Sequence, residues 1–231
     1  MDTEGLNLPG LVGRLNLREE VTAAIRAALV TGQMQPGQLY SAPKLAEQFG
    51  VSATPVREAL LDLVTEGHFE VARNKGFRVR RLNASELDEL AEIRLYLEPP
   101  AMAAVAQAAA STPEVASTIT ALRPLAEEIV RFAQTGDLLA YIEADTQFHA
   151  EFLTIHGNAQ LVELVRDLRT RSRLFGLESL FASGALSTLA EEHVRMVELG
   201  AQGHAEELAA LTRQHIGHVR EEWAGDAGEP G

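Results

Sequence analysis

Between Arg14 and about Thr31 the apolar residues Leu17, Val21, Ala24, Ile25, Ala28 and Leu29 return every three or four positions, the repeat of one helix face. "TGQMQPGQ" ends that run with Gly and Pro. "PKLAEQFG" predicts a short second helix, with Pro43 in its first turn and Gly50 at its end. In "VSATPVREALLDLVTEGHFE" Thr54 can cap a third helix and Pro55 suits its first position. Val56, Leu60, Leu63 and Val64 form its buried stripe, and Gly67 stops it. The period then changes. "FEVARNKGFRVRRL" has strand-type residues around a central Asn-Lys-Gly turn, the pattern of a small hairpin. Three helices and a hairpin over residues 14–81 predict a winged helix-turn-helix.

After Leu82 the strand signal is lost. Ser85 with Asp88 resembles a capping box for a helix to about Glu98, where Pro99-Pro100 should kink or restart it. Thr112-Pro113-Glu114 starts another helix that closes near Gly136. Asp137 caps the next, and Asn158 caps one reaching about Leu180. "FASGALS" reads as a loop, followed by helices near 186–201 and 204–223. The predicted fold is mainly α: a winged helix-turn-helix, a linker at 82–84, and an antiparallel all-helical bundle of six or seven helices over 85–223. Residues 1–13 and 224–231 read as flexible tails.

Several inward faces of the bundle carry polar residues. Asp145 and His149 share a face with Ile142, Phe152 and His156; His193 lies with Leu189, Met196, Val197 and Gly200; His215 lies with Leu208 and Leu211. Arg94 sits beside Leu87, Leu90 and Leu97. Burying such groups costs free energy unless something satisfies them. Two answers stay open for the histidines: hydrogen-bonded core residues, the commoner case for any single one, or a metal site. One carboxylate and three imidazoles form a set suited to Zn, Ni, Mn or Fe. Asp145 and His149, at i and i+4 with Cβ atoms ~6 Å apart, can converge on one ion. The same set could activate water in a hydrolase or lyase, but no further inward carboxylate is evident as a general base.

Composition narrows the setting. The chain has no cysteine, which removes disulfides, thiolate ligands and thiol nucleophiles. "MDTEGLNLPGLVGR" has no basic segment leading into an apolar run, and "AMAAVAQAAA" is too short to span a bilayer. A cytoplasmic protein with no membrane partner is expected. The net charge of −13 argues against nucleic acid until it is located. Residues 1–82 hold ten Lys and Arg against nine Asp and Glu, so the acidic excess lies entirely in the remainder. Arg73, Lys75, Arg78, Arg80 and Arg81 crowd the end of the first part, a local basic cluster suited to phosphate contact.

"LAEQFGVSATPVREALLDLVTEGHFE" with "GFRV" resembles the DNA-binding domain of the GntR family of transcriptional regulators. Its Val51–Leu60 core is among that family's more distinctive short signatures. The resemblance implies a third helix whose first turn enters the major groove of double-stranded operator DNA. Thr54 and free backbone N–H groups would meet a phosphate there, and Arg57 a guanine edge or a phosphate. Lys44, Ser52, Arg73 and Lys75 become further DNA contacts, and Gly76 would let the wing approach the minor groove. Where the family often carries arginine, this chain has Pro43 and Ala53, and Leu61-Asp62 replaces a commonly basic pair. Fewer direct base contacts than the family's usual number are therefore expected.

Residues 85–222 resemble the helical effector domain of the FadR-type branch of that family, through "RLYLE", "GDLLAYIEADTQFHAEFLTIHGNAQL", "EEHVRMVELGAQGH" and "RQHIGHV". In the metal-dependent members of that branch the ligands match Asp145, His149, His193 and His215. The resemblance also implies a homodimeric repressor, a small organic acid as effector, and Arg94 as contact for its carboxylate. An internal salt bridge from Arg94 to Glu98 or another acid is the alternative. His204 reads as a surface residue at a helix start and His218 as a supporting or substitute ligand. The run Arg171–Arg173 reads as a surface or dimer feature. The branch's acyl-CoA-binding members lack the ligand set, which argues against a fatty-acyl effector. The overall expectation is a metal-dependent transcriptional regulator rather than an enzyme.

Overall fold

The structure, a computed structural model, describes residues 14–172 and 177–226. The tail expected at 1–13, residues 227–231 of the tail expected at 224–231, and Arg173 lie outside these residues; residues 224–226 are not tail but the last residues of a helix. The chain divides into two compact units that meet between Arg80 and Arg81, with residues 29–33 grouped with the second.

The first unit is a winged helix-turn-helix built from α1 (Arg14–Val30), α2 (Ala42–Phe49), α3 (Ala53–Thr65) and a three-stranded antiparallel sheet. Val21 and Ile25 of α1 are buried, as are Leu45 of α2 and Val56, Ala59, Leu60 and Leu63 of α3. Ala59 takes the inward place expected for Val64, which stays half-buried. Each large aliphatic side chain buried here contributes roughly 1.5–3 kcal/mol. Two ion pairs run from α1 to the α3 region: Arg18 with Asp62, and Arg26 with Glu66 at 2.6 Å. Asp62, one of the departures from the family pattern, is thus a structural partner of α1.

Helix α3 begins earlier than the capping pattern predicts. Ser52 stands at the N-cap position, and Thr54 and Pro55 lie inside the first turn. Thr54 is therefore not the cap. The first four N–H groups of a helix have no intrahelical partner, so Pro55 in that turn costs no hydrogen bond and does not force the start to its own position.

Strands β2 (Phe69–Ala72) and β3 (Gly76–Val79) form the expected hairpin, with Ala72 opposite Gly76 and Arg73, Asn74 and Lys75 at its tip. Asn74 there has a φ of 62°, which Asn tolerates better than most residues. The sequence did not predict β1 (Leu39–Tyr40), which pairs with the other edge of β3 in the order β1-β3-β2. Two residues are too few to show a period. This strand also changes the account of Gly76. Its φ is 108°, and a Cβ there would lie 2.4 Å from the Tyr40 carbonyl oxygen. Glycine is demanded by the contact between strands, whether or not DNA approaches.

The second unit holds eight helices among the described residues: α4 (Ala84–Ala109), α5 (Pro113–Thr120), α6 (Arg123–Thr135), α7 (Leu138–Thr154), α8 (Ala159–Ser172), α9 (Leu177–Ser183), α10 (Ala185–Ala201) and α11 (Ala205–Asp226). The capping box at the start of α4 is Asn83 with Glu86, each side chain bonded to the other's backbone N–H at 3.0 Å. Ser85 and Asp88 do not form it, and Asn83 as cap takes up most of the expected linker. Helix α4 also continues through Pro99 and Pro100 without restarting. Those prolines withhold N–H groups from the carbonyls of Leu95 and Tyr96, whose exposed side chains leave water access there. Burial of Pro99, Ala101, Met102, Val105 and Ala106 beyond the break favours one continuous helix.

The single helix expected to end at Gly136 is two. Pro124 cannot donate to Thr120, and the chain restarts at Arg123. The expected loop at 181–187 contracts to Gly184, with helix on both sides. Asp137 and Asn158 cap as expected, accepting from the N–H groups of Ala140 at 3.2 Å and Leu161 at 3.1 Å. No described helix is long and apolar enough to cross a membrane.

Gly76→Ala should lower full-chain stability to urea by about 2–4 kcal/mol, because the strained φ and the overlap with Tyr40 add. Gly50→Ala, at a φ of 68° with nothing within 4 Å, should cost only about 1 kcal/mol. Equal losses would show that the β1 contact does not set the cost.

Candidate functional site

Three helices of the second unit aim four polar side chains at one buried point. Asp145 and His149 come from adjacent turns of α7, His193 from α10 and His215 from α11, and all four are fully buried. One ligand-type atom from each lies within 4.8 Å of every other. His193 Nε2 is 3.1 Å from both Asp145 Oδ1 and His149 Nε2. The His215 ring centroid lies 4.9 Å from that of His193 and 5.3 Å from that of His149. Phe148 closes one side, edge-on to the His149 and His193 rings.

The outer hydrogen bonds fix which nitrogens face the centre. His193 Nδ1 lies 3.0 Å from the Ala190 carbonyl oxygen, which can only accept. Nδ1 therefore carries the proton, and in a neutral ring Nε2 presents a lone pair toward Asp145 Oδ1. Two acceptors at 3.1 Å repel unless a cation or an added proton stands between them. His215 repeats the arrangement: its Nδ1 donates to Glu192 Oε2 at 2.7 Å, which leaves Nε2 for the centre. Burial, first, and the Arg169 charge, second, push the His149 pKa well below the usual imidazole range. A neutral imidazole is the form that ligates a metal. On donor chemistry the set fits a divalent transition ion.

Around the centre runs a chain of buried charges. Arg94 Nε donates to Glu98 Oε1 at 2.5 Å. Arg169 donates to Glu98 Oε2 at 2.7 Å and to Asp145 Oδ2 at 2.9 Å. Arg169 thus holds one oxygen of Asp145 and leaves the other facing the histidines. Arg94 forms the internal salt bridge to Glu98, and its buried Nη2 has no hydrogen-bond partner.

Sequence reasoning missed Arg169 and Glu192 as parts of this site and gave Glu98 only as a possible salt-bridge partner of Arg94. Two further carboxylates do turn inward, since Glu98 and Glu192 are both buried. Neither is poised as a base, since Glu98 is held by two arginines and Glu192 by His215. The available signal was the helical period, because Val162, Val165, Arg169 and Ser172 share one buried stripe of α8. His218 lies 3.2 Å from Glu192, a supporting position, whereas His156 and His204 are exposed.

In the first unit Lys44, Ser52, Thr54, Arg57, Arg73 and Lys75 are all exposed. Ser52, Thr54 and Arg57 lie at or within the start of α3, and Arg73 and Lys75 at the hairpin tip.

Comparison with known proteins matches residues 89–218 to the FCD domain and residues 17–79 to the family described as bacterial regulatory proteins, gntR family. The Nta operon transcriptional regulator of Aminobacter aminovorans is 32% identical over 81% of this chain and 85% of its own length. The HTH-type transcriptional regulator McbR of Escherichia coli is 30% identical over 70% of this chain and 71% of its own. The solved structure of E. coli McbR/YncC superposes with a TM-score of 0.66 at 27% identity, covering 90% of this chain and 98% of that one. A GntR regulator structure from Rhodococcus sp. RHA1, at 21% identity, shares the fold with a TM-score of 0.70, over 91% of this chain and 98% of its own. The matched domains and relatives are those of transcription factors, not enzymes. With both halves matched in the order the structure places them, this chain belongs to the gntR family of bacterial regulatory proteins, as a transcriptional regulator with an FCD domain.

Proposed function

We propose that this regulator is a homodimeric repressor whose bundle holds one divalent transition metal and a small carboxylate effector that changes operator binding. The observation that carries the metal reading is His193 Nε2 facing Asp145 Oδ1 at 3.1 Å with its other nitrogen tied to a carbonyl. Asp145, His149, His193 and His215 would hold the ion, and its remaining coordination positions would take water or a carboxylate oxygen. When bound, the ion supplies a fixed positive charge that can hold such an anion. Arg94, with a buried guanidinium nitrogen lacking an acceptor, supports a role in holding that anion.

Ile93 and Tyr96 on α4 and Leu164 on α8 are exposed apolar side chains on helices that pack together, which supports a dimer surface there. A two-fold dimer would present two α3 helices to half-sites about one turn of DNA, ~34 Å, apart. Lys44, Ser52, Thr54, Arg57, Arg73, Lys75 and Gly76 would form the DNA face. Effector binding regulates only if the ligand prefers one of the free and DNA-bound states.

Elemental analysis of purified protein should find about one transition metal per chain. A folded Asp145→Ala/His149→Ala variant should contain none. Absence of metal from the parent even after incubation with zinc or nickel would leave the cluster purely structural.

Metal-free protein should lose stability as pH falls. The folded-state pKa of His149 lies below its unfolded value of about 6.5, so below that pH the unfolded chain binds the extra proton. The slope from this residue is at most about 1.4 kcal/mol per pH unit, vanishes above pH ~7, and ends once pH drops through the folded pKa. Urea unfolding of chelator-treated parent and His149→Gln proteins between pH 7.5 and 5.5 should show the steeper fall in the parent.

On operator DNA, Arg57→Ala should cost about 1–3 kcal/mol and relax specificity at one base position. Lys75→Gln should weaken binding to all sequences alike and lower the salt slope by about 1. Fluorescence anisotropy over a salt series separates the two behaviours. An Arg57 variant that keeps parental affinity would remove that residue from the DNA face.

A further inference from the structure

The buried charges of the bundle do not cancel. Among its described side chains less than a tenth exposed, two are guanidinium groups, Arg94 and Arg169, and three are carboxylates, Glu98, Asp145 and Glu192. With the imidazoles neutral, as metal-bound imidazoles are, the core carries one negative charge. A divalent ion at the Asp/His set turns that into one positive charge. In a poorly solvated interior an uncompensated charge is costly, so the loaded core favours a ligand that cancels it.

Unsatisfied donors flank one member of the set. Arg94 Nη2 is buried and bonds to no acceptor. His149 Nδ1 is likewise buried without a hydrogen bond, 3.9 Å from Glu98 Oε2. Both side chains lie against Glu98, whose oxygens are engaged by Arg94 and Arg169 at 2.5 and 2.7 Å. Glu98 is the group that keeps the two arginines from adding two full charges to that of the ion.

We infer that the effector is a singly charged carboxylate, and that Glu98 sets this selectivity by neutralising one of the two buried arginines. The inference rests on the metal- and carboxylate-binding reading above and narrows it. A monocarboxylate brings the loaded core to neutrality and supplies an acceptor for the Arg94 nitrogen. A dicarboxylate leaves a net negative charge in the same interior, and a neutral ligand leaves the positive charge uncancelled. Removing the Glu98 charge raises the loaded core to two positive charges, which two carboxylates on one ligand would match. Glu98 thus acts as a specificity-determining residue through charge, without touching the ion.

The test is calorimetric titration of the zinc-loaded full-length protein with acetate and lactate against malonate and malate, with zinc content measured before and after. The parent should bind the monocarboxylates tighter than the dicarboxylates by at least about tenfold. Glu98→Gln keeps the shape and one acceptor oxygen, and should shift the ratio of the two affinities at least about tenfold toward the dicarboxylates. Tighter binding of malonate or malate by the parent would overturn the inference while leaving a carboxylate effector in place. An unchanged ratio in a folded Glu98→Gln protein would overturn the role of Glu98. If circular dichroism shows that variant unfolded, the ordering in the parent alone decides. If zinc stays bound and neither class of acid binds, the effector reading falls and takes this inference with it.

Discussion

The second unit is organised by one constraint: charged and polar side chains inside a helical bundle must find their complements there. Arg94, Glu98, Arg169 and Asp145 form an unbroken run of ion pairs from α4 through α8 to α7, and Asp145 passes it on to His193 of α10. Each member is buried, and Arg94 has only Glu98 as its ionic partner in the run, so deleting Glu98 leaves a buried guanidinium unpaired, a cost of about 3–5 kcal/mol. The apolar residues around them set the density of the core; the ionic run sets which helix faces which. His215 and Glu192 extend the pattern to α11.

That run also divides the two oxygens of Asp145 between two tasks. Arg169 takes Oδ2, and Oδ1 faces the histidines. Outer partners at Ala190 and Glu192 likewise turn Nε2 of His193 and His215 inward. Such outer contacts would orient the donors of the proposed metal site. The DNA-binding unit solves a simpler problem. Its core is mostly aliphatic and aromatic, its arginine ion pairs lie at its margin, and the residues proposed to meet DNA lie on α2, at the start of α3 and at the hairpin tip.

Much of this was legible along the chain. The start of α1, the Gly50 stop, the hairpin, the caps at Asp137 and Asn158 and the inward positions of Arg94, Asp145, His149, His193 and His215 all follow from spacing and cap chemistry. The failures have local causes. Thr54 and Ser52 are both good capping residues two positions apart, so pattern alone could not choose between them. Pro99-Pro100 should break a helix in isolation, but burial of the following turns holds α4 continuous. Strand β1 is two residues long and exists because β3 has an edge to cover.

The sequence by itself determined which side chains turn inward, because helical period and apolar neighbours are local properties. It also identified the DNA-binding half, whose signature is contiguous from Val51 to Leu60. Only the tertiary structure decided what the inward groups meet. Glu98 and Arg169 are 71 residues apart, and Asp145 and His193 are 48 apart, so no local pattern announces either pair. Their partnership arises from helices packed side by side, where the cost of burying a lone charge is relieved only by another buried charge that the chain has brought back from far along its length.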